Sequence, residues 1–384
     1  MVKSNKHTKK ARKPQSLLIS TVAEAGLNDT DLCSFYSRYW ERPIALARED
    51  FVNWQFSMSP HARGKNNTVV ALLGDEIIAA MGAVPRPFYS DGKFSEAAEL
   101  TTWVVAPEAR GRGVGTKILK FLQGRYQFLS GAGITAQALP VYLKCEFTFL
   151  AHIPRFFFIS KFDLIDVFAQ PSTSALALVK NRQKMGKNID VYANPCSASS
   201  ICKQLEENAS AQGMRNSDYL KWRYDQHPVF NYEAYEVVDT TRNTLKTGVI
   251  VRQDNVDGVP FLHLIDIVGC PSTYSLAVAF LEAEATRRGC AFVDASCTSN
   301  QLVLAFRARG WNSVIDDPFI EMPSLFHPVE LRRPPTTSLV FWSKANKDKT
   351  YEFGSLNFTK GDLDLDRPTL NFYHQQHGEI DASS

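Results

Sequence analysis

Residues 101–121 read TTWVVAPEARGRGVGTKILKF, and this stretch decides the fold. Thr101–Val105 is β-branched and aromatic, the composition of a strand, and Pro107 marks its end. Arg110-Gly111-Arg112-Gly113-Val114-Gly115 follows, after which Val114, Ile118, Leu119, Phe121 and Leu122 recur at helical spacing. The order is strand, glycine-rich turn, helix. At such a helix start the first backbone N–H groups lack intrahelical partners and the dipole is positive, so an anion is favoured. Glycine lets the main chain approach a phosphate with no Cβ in the way. Arg110 and Arg112 add charge. The pattern is neither the G-x-G-x-x-G dinucleotide fingerprint nor a P-loop, since no Gly-Lys-Ser/Thr follows. It predicts a pyrophosphate cradle.

The order R-x-x-G-x-G after a V-x-x-P strand end resembles the acetyl-CoA motif of the GNAT acyltransferase superfamily. The resemblance implies acetyl-CoA, or another acyl-CoA, as co-substrate. Arg110, Gly111, Arg112, Gly113, Val114, Gly115 and Thr116 would then surround its pyrophosphate. By the same resemblance the backbone of Trp103, Val104 and Val105 would hold the pantetheine arm and polarise the thioester carbonyl.

Acyl transfer to an amine needs a base for the amine proton, donors for the oxyanion and a proton for the departing thiolate. An unperturbed thiol has a pKa of about 8.5, so that last proton matters. Glu99 is the candidate base, at the entry to the strand and eleven residues before Arg110. Strict alternation puts Glu99, Thr101, Trp103 and Val105 on one strand face. The histone-acetyltransferase branch of GNAT carries its base glutamate at the same offset, and Glu96 is the runner-up. Tyr142 is the candidate acid. Tyr142-Leu143-Lys144-Cys145-Glu146-Phe147 resembles the GNAT stretch Y-x-x-x-G-F, with Glu146 in the glycine's place.

The second half repeats the first. Asp50-Phe51-Val52-Asn53-Trp54-Gln55-Phe56, with Pro60 beyond it, matches Asp218-Tyr219-Leu220-Lys221-Trp222-Arg223-Tyr224 with Pro228. Strands and helices recur around it in the same order, but Gly269-Cys270-Pro271-Ser272-Thr273 replaces the cradle and Phe306 replaces Tyr142. The expected fold class is α/β, as two tandem GNAT-like domains, each a mixed, mostly antiparallel sheet flanked by helices. Residues 1–15 are expected as a disordered basic arm, 16–168 as the domain with the acyl-CoA site and 169–186 as a connecting segment. Residues 187–345 are expected as a degenerate second copy that helps build the acceptor site, and 346–384 as a tail. Within this scheme the first helix runs from an Asp29 or Thr30 cap, and Ile134–Leu139 forms the strand after the cradle helix. Asp362, Asp364 and Asp366 alternate in the tail, which is either solvated or a face for an ammonium or sugar hydroxyls.

The net charge of +3 over 384 residues favours no particular partner, and no apolar run reaches transmembrane length. Nucleic acid is not expected as a partner. Seven cysteines without a C-x-x-C pair suit free thiols in a reducing cytoplasm, and no histidine cluster has metal spacing. The leading expectation is a cytoplasmic N-acyltransferase acting on a small-molecule amine, an amino sugar or sugar nucleotide first. The alternatives are an aminoacyl-tRNA-dependent transferase, a protein lysine acetyltransferase and a non-catalytic CoA-binding protein.

Overall fold

The computed structural model describes residues 16–40, 43–184, 186, 189–201, 211–239, 246–317, 319–326, 329–331, 333, 335–347, 353–363 and 368–378. The basic arm, Asp364 and Asp366 lie outside these residues.

The first half lays down β1 (Leu17–Thr21), β2 (Val69–Leu73), β3 (Glu76–Pro85), β4 (Ala97–Val105), β5 (Phe128–Ala132), β6 (Thr148–Leu150) and β7 (Arg155–Ile159). Its helices are α1 (Asp29–Tyr39), α2 (Glu49–Val52), α3 (Val114–Arg125) and α4 (Leu139–Lys144). The second half continues with α5 (Thr173–Gln183), β8 (Val191–Cys196), α6 (Ser217–Leu220), β9 (Glu233–Asp239), β10 (Lys246–Val256) and β11 (Val259–Val268). It ends with α7 (Tyr274–Arg287), β12 (Phe292–Ser296), α8 (Asn300–Ala308), β13 (Asn312–Ser313), β14 (Leu339–Ser343) and α9 (Leu370–Gln376).

Two seven-stranded sheets result, in the orders β1-β2-β3-β4-β5-β14-β6 and β8-β9-β10-β11-β12-β7-β13. Each is antiparallel except for one parallel pair, β4 with β5 and β11 with β12. The sheets do not follow the sequence division at 168 and 187. Strand β7, from the first half, pairs with β12 and β13, and β14, from the second half, pairs with β5 and β6. Each half thus lends its partner the sixth strand. Both lent strands are apolar and flanked on both sides, as their run of aromatics suits (RFFFI and LVFWS). Arg155 opens β7 and fixes it in the foreign sheet through Nε and Nη2 to Asp294 of β12, at 2.9 and 2.7 Å.

Local signals account for several differences from expectation. Asn28, not Asp29 or Thr30, caps α1: it accepts the Asp31 N–H while Asp31 accepts the Asn28 N–H. The expected connecting segment contains α5, whose first turn Ser172 caps by accepting from Ala175. The strand after α3 is Phe128–Ala132, not Ile134–Leu139. Its Gly131 lies against Leu100, whose carbonyl would stand 3.3 Å from an added Cβ. The expected C-terminal tail packs into the body. Tyr373 of α9 is buried and donates to Asp50, and Thr369 bridges to Ile44.

The repeated aspartate–aromatic–tryptophan segments form matching single turns of wide helix, Asn53–Ser57 and Lys221–Asp225. They meet face to face at the centre of a core shared by both halves, which includes Phe51, Phe56, Tyr219 and Tyr224.

Candidate active site

Strand β4 carries the decisive irregularity. Its register with β3 runs Gly82 to Thr101, then Met81 to Trp103, leaving Thr102 as a bulge at φ 37°. A β-branched residue in the left-handed region is strained, and the added residue turns the side chains that follow it over. Glu99 and Thr101 line a cleft with Phe51 and Trp54, whereas Trp103 and Val105 pack on the opposite side with α3. The single face expected for Glu99, Thr101, Trp103 and Val105 is thereby broken at Thr102. Val104 faces the shared core instead.

The β4–β5 pairing stops at Leu100 with Gly131. From Thr101 to Val105 the strand is paired only with β3, so one backbone edge opens onto a gap between β4 and β5.

The turn beyond β4 has the form of an anion cradle. Gly111 and Gly113 sit at φ 75° and 72°, and an added Cβ on either would meet nothing within 4 Å. Gly113 caps α3 without a side chain, so the first-turn N–H groups of the 12-residue helix are left for a ligand. Gly115 is small for another reason: a Cβ there would stand 2.4 Å from Trp103 Cζ2. Arg110 folds back, its Nε donating to Val105 O at 3.1 Å, while Arg112 is exposed. The open turn and uncapped helix fit a pyrophosphate. Arg110 to Thr116 would hold it, and the free edge of β4 would hold an extended arm.

Tyr142 lies on the α3 side, edge-on to Trp103 at 5.2 Å and to Phe147 at 5.0 Å between ring centroids. Burial raises its pKa, so the phenol keeps its proton. It does not line the cleft that Glu99 faces; the bulge at Thr102, which turns Trp103 to the α3 side, separates the two. The turn after it survives the missing glycine, because Glu146 itself adopts φ 64° and Phe147 N donates to Tyr142 O at 3.1 Å. The second half repeats this turn with Gly310 at φ 75° and Trp311 N donating to Phe306 O at 3.0 Å.

Glu99 sits at the rim of a buried charge network. Its Oε1 accepts from Arg86 Nη1 at 2.5 Å, and its side chain keeps 23% exposure against 2% for Arg86. Burial raises the Glu99 pKa, Arg86 opposes that rise, and Asp362 adds to it. The other end of Arg86, Nη2, lies 2.7 Å from Asp362 Oδ1. Asp362 Oδ2 accepts from Arg215 Nη2 at 2.5 Å, and Arg215 Nε pairs with Asp266. Burial disfavours the Asp362 charge, but Arg215 and Arg86 outweigh it and hold the carboxyl below its ordinary range. The cleft, about 630 Å³ including solvent space at its mouth, is lined by both repeat segments, β4, β5 and residues 361–363. Sequence inspection missed Arg86, Arg215 and the depth of Asp362. The signal present was the T-x-x-D cap of Thr359 and Asp362.

The second half has the same bulge, at Ile265, and the same end of pairing, at Leu264 with Ala295. There the chain fills its own gap. Thr359 bridges to Cys297, Thr359 Oγ1 donates to Asp266 at 2.8 Å, and Gly361 packs beside the Ile265 carbonyl. Pro271–Thr273 supplies no left-handed glycine, and Tyr274 is buried at the start of α7.

Residues 30–147 match the model of the acetyltransferase (GNAT) family. That segment is thus similar to a GNAT acetyltransferase domain. The match spans Glu99, the cradle and Tyr142. Solved structures of similar fold extend the likeness over both halves. A GCN5-related N-acetyltransferase from Kribbella flavida is 17% identical, over 86% of this chain and 72% of its own, with a TM-score of 0.50. One from Anabaena variabilis is 11% identical over 85% and 72%, at 0.51. A probable N-acyltransferase from Enterococcus faecalis is 9% identical over 85% and 73%, at 0.52. No curated protein matches the sequence. The architecture is therefore two GNAT-like domains, with the cradle in the first. Among the described residues no three His, Cys, Asp or Glu side chains converge as a metal site, and no helix is long and apolar enough to cross a membrane.

Proposed function

We propose that the protein transfers an acyl group from acetyl-CoA, or another acyl-CoA, to the primary amine of a small molecule bound between the two domains. The observation that carries this is the position of Glu99. It is a carboxylate with a raised pKa that faces the cleft from β4, two residues before the strand's backbone edge opens.

Bound acyl-CoA would supply an activated thioester. The protein's residues do the rest. The α3 N-terminus and the glycines of the cradle hold the diphosphate. The unpaired edge of β4 orders the arm and offers N–H donors where negative charge develops. Glu99 takes the amine proton, and its raised pKa brings it nearer to neutrality, where a base is most effective. Tyr142, kept protonated by burial, is the proton source on the α3 side of the gap.

The cleft sets aromatic walls, Phe51, Trp54 and Trp222, beside two carboxylates, Glu99 and Asp362. That lining suits a cationic amine on a polar body with apolar faces, and amino sugars are the class to test first. The six described cysteines are free thiols, in keeping with a cytoplasmic site of action. Acyl-CoA binding by calorimetry and turnover over a panel of amino sugars, sugar nucleotides and lysine peptides test the proposal. Glu99→Gln is expected to lower kcat about 10²–10⁴-fold with acyl-CoA binding intact. Absence of binding, or full turnover by that variant, refutes it.

A further inference from the structure

The carboxylate assigned to proton transfer does not own its guanidinium. Arg86 is buried, its ring-facing side stacked 4.0 Å over Tyr219, its Nε donating to Met214 O at 3.1 Å. It cannot swing, because Gly213 leaves room only for the guanidinium: a Cβ there would stand 2.4 Å from Arg86 Cζ. One Nη meets Glu99 of β4 and the other meets Asp362. Asp362 is placed by a separate set of contacts. The Thr359 N–H donates to it at 2.7 Å and Arg215 at 2.5 Å, while the Thr359 hydroxyl, spent on Asp266, lies 3.1 Å away. Both carboxylates line the same cleft.

We propose that the segment Thr359–Leu363 is part of the catalytic apparatus: Asp362 and Glu99 compete for the fixed Arg86, and Asp362 is thereby the positioning residue that sets how firmly Glu99 is held. The inference rests on Glu99 as the base. A single cation between two anions divides its interaction, so strengthening one pair weakens the other. The groups facing Glu99 are Arg86, Asp362 from the C-terminal segment, Arg223 from the second repeat segment and Tyr219 from α6. Of these, Asp362 is the anion. With it in place Arg86 is a poorer partner for Glu99, which leaves Glu99 the stronger base. The same segment that closes the gap in the second domain thus tunes the first.

Two substitutions of opposite sign test this, read as the acid limb of the kcat/KM–pH profile in the full-length protein. Asp362→Asn gives Arg86 wholly to Glu99, and the limb is expected to move to lower pH by about one unit with a lower plateau. Thr359→Val keeps every charge but removes the hydroxyl from Asp266, which then draws Arg215 away from Asp362. Asp362 then draws harder on Arg86, and the limb is expected to move upward by a few tenths of a unit. A role confined to folding would lower the melting temperature and leave both limbs in place, and that result overturns the inference. If Asp362→Asn does not fold, the direction of the Thr359→Val shift decides. Full turnover by Glu99→Gln would instead remove the base assignment itself. An inactive Glu99→Gln with unmoved limbs would remove only the role of Asp362.

Discussion

Trp54 and Trp222 lie stacked with ring centroids 5.1 Å apart, and each indole N–H donates to the other's backbone carbonyl, at 3.3 and 2.9 Å. The two residues hold equivalent places in the repeat, so the contact is self-complementary and marks the local two-fold axis of the molecule. Both polar tips are satisfied inside the core, each by the other's main chain, as the N–H of a buried tryptophan requires.

Truncating either ring leaves a cavity and an orphaned carbonyl. Trp54→Ala or Trp222→Ala is expected to cost about 3–5 kcal/mol in denaturant unfolding. The double variant should cost less than the sum, since both remove the same contact.

The cradle glycines should fail for different reasons. Gly113→Val forces a β-branched residue to φ 72°, and Gly115→Leu drives a side chain into Trp103. Calorimetry is expected to record at least about a tenfold loss of acyl-CoA affinity for each, on a strain cost of about 1–3 kcal/mol. Arg112→Ala, exposed and unstrained, should lose affinity in a salt-dependent way.

Tyr142→Phe keeps the ring between Trp103 and Phe147 and removes only the hydroxyl. It is expected to lower kcat while leaving acyl-CoA binding and the melting temperature near their original values. A fall in binding alone would assign Tyr142 to packing.

His263 gives stability a pH dependence. It is buried with Nδ1 against Asp294 and 2.9 Å from Lys360 Nζ. Burial lowers its pKa, outweighing Asp294. The folded value lies below the unfolded one, about 6.5, so the unfolded chain takes the proton first. Stability is complete above that pH and falls as pH drops toward the folded value. Asp294 is held well below its range by His263, Lys360 and Arg155 despite burial, so its own loss comes at far lower pH. Melting curves between pH 8 and 5 should slope downward for the native protein, and His263→Gln should flatten them.

Much of the candidate site was legible because its signals are local. Arg110–Gly115 lies within one turn, and Glu99 and Tyr142 stand at short offsets from it. The repeat was legible because the aspartate, aromatic and tryptophan positions recur in order. What escaped depends on distant chain. Nothing within RFFFI or LVFWS states which sheet each joins, since strand partners are chosen by packing and not by composition. The bulge escaped because Thr102 is an ordinary strand residue until Gly82 and Thr101 are set opposite each other. Arg86 and Asp362 are unremarkable charges until the C-terminal segment returns to the cleft.

The lent strands also set a schedule for biosynthesis. The sheet that carries the cradle has β14 between β5 and β6, so it cannot close while the ribosome has yet to deliver Ser343. The amino-terminal domain must wait, its β5 edge unpaired, through synthesis of nearly the entire second domain. The cradle-bearing sheet is therefore complete only once the chain has been made through Ser343, and a chain stopped short of it offers a bare strand edge to its neighbours.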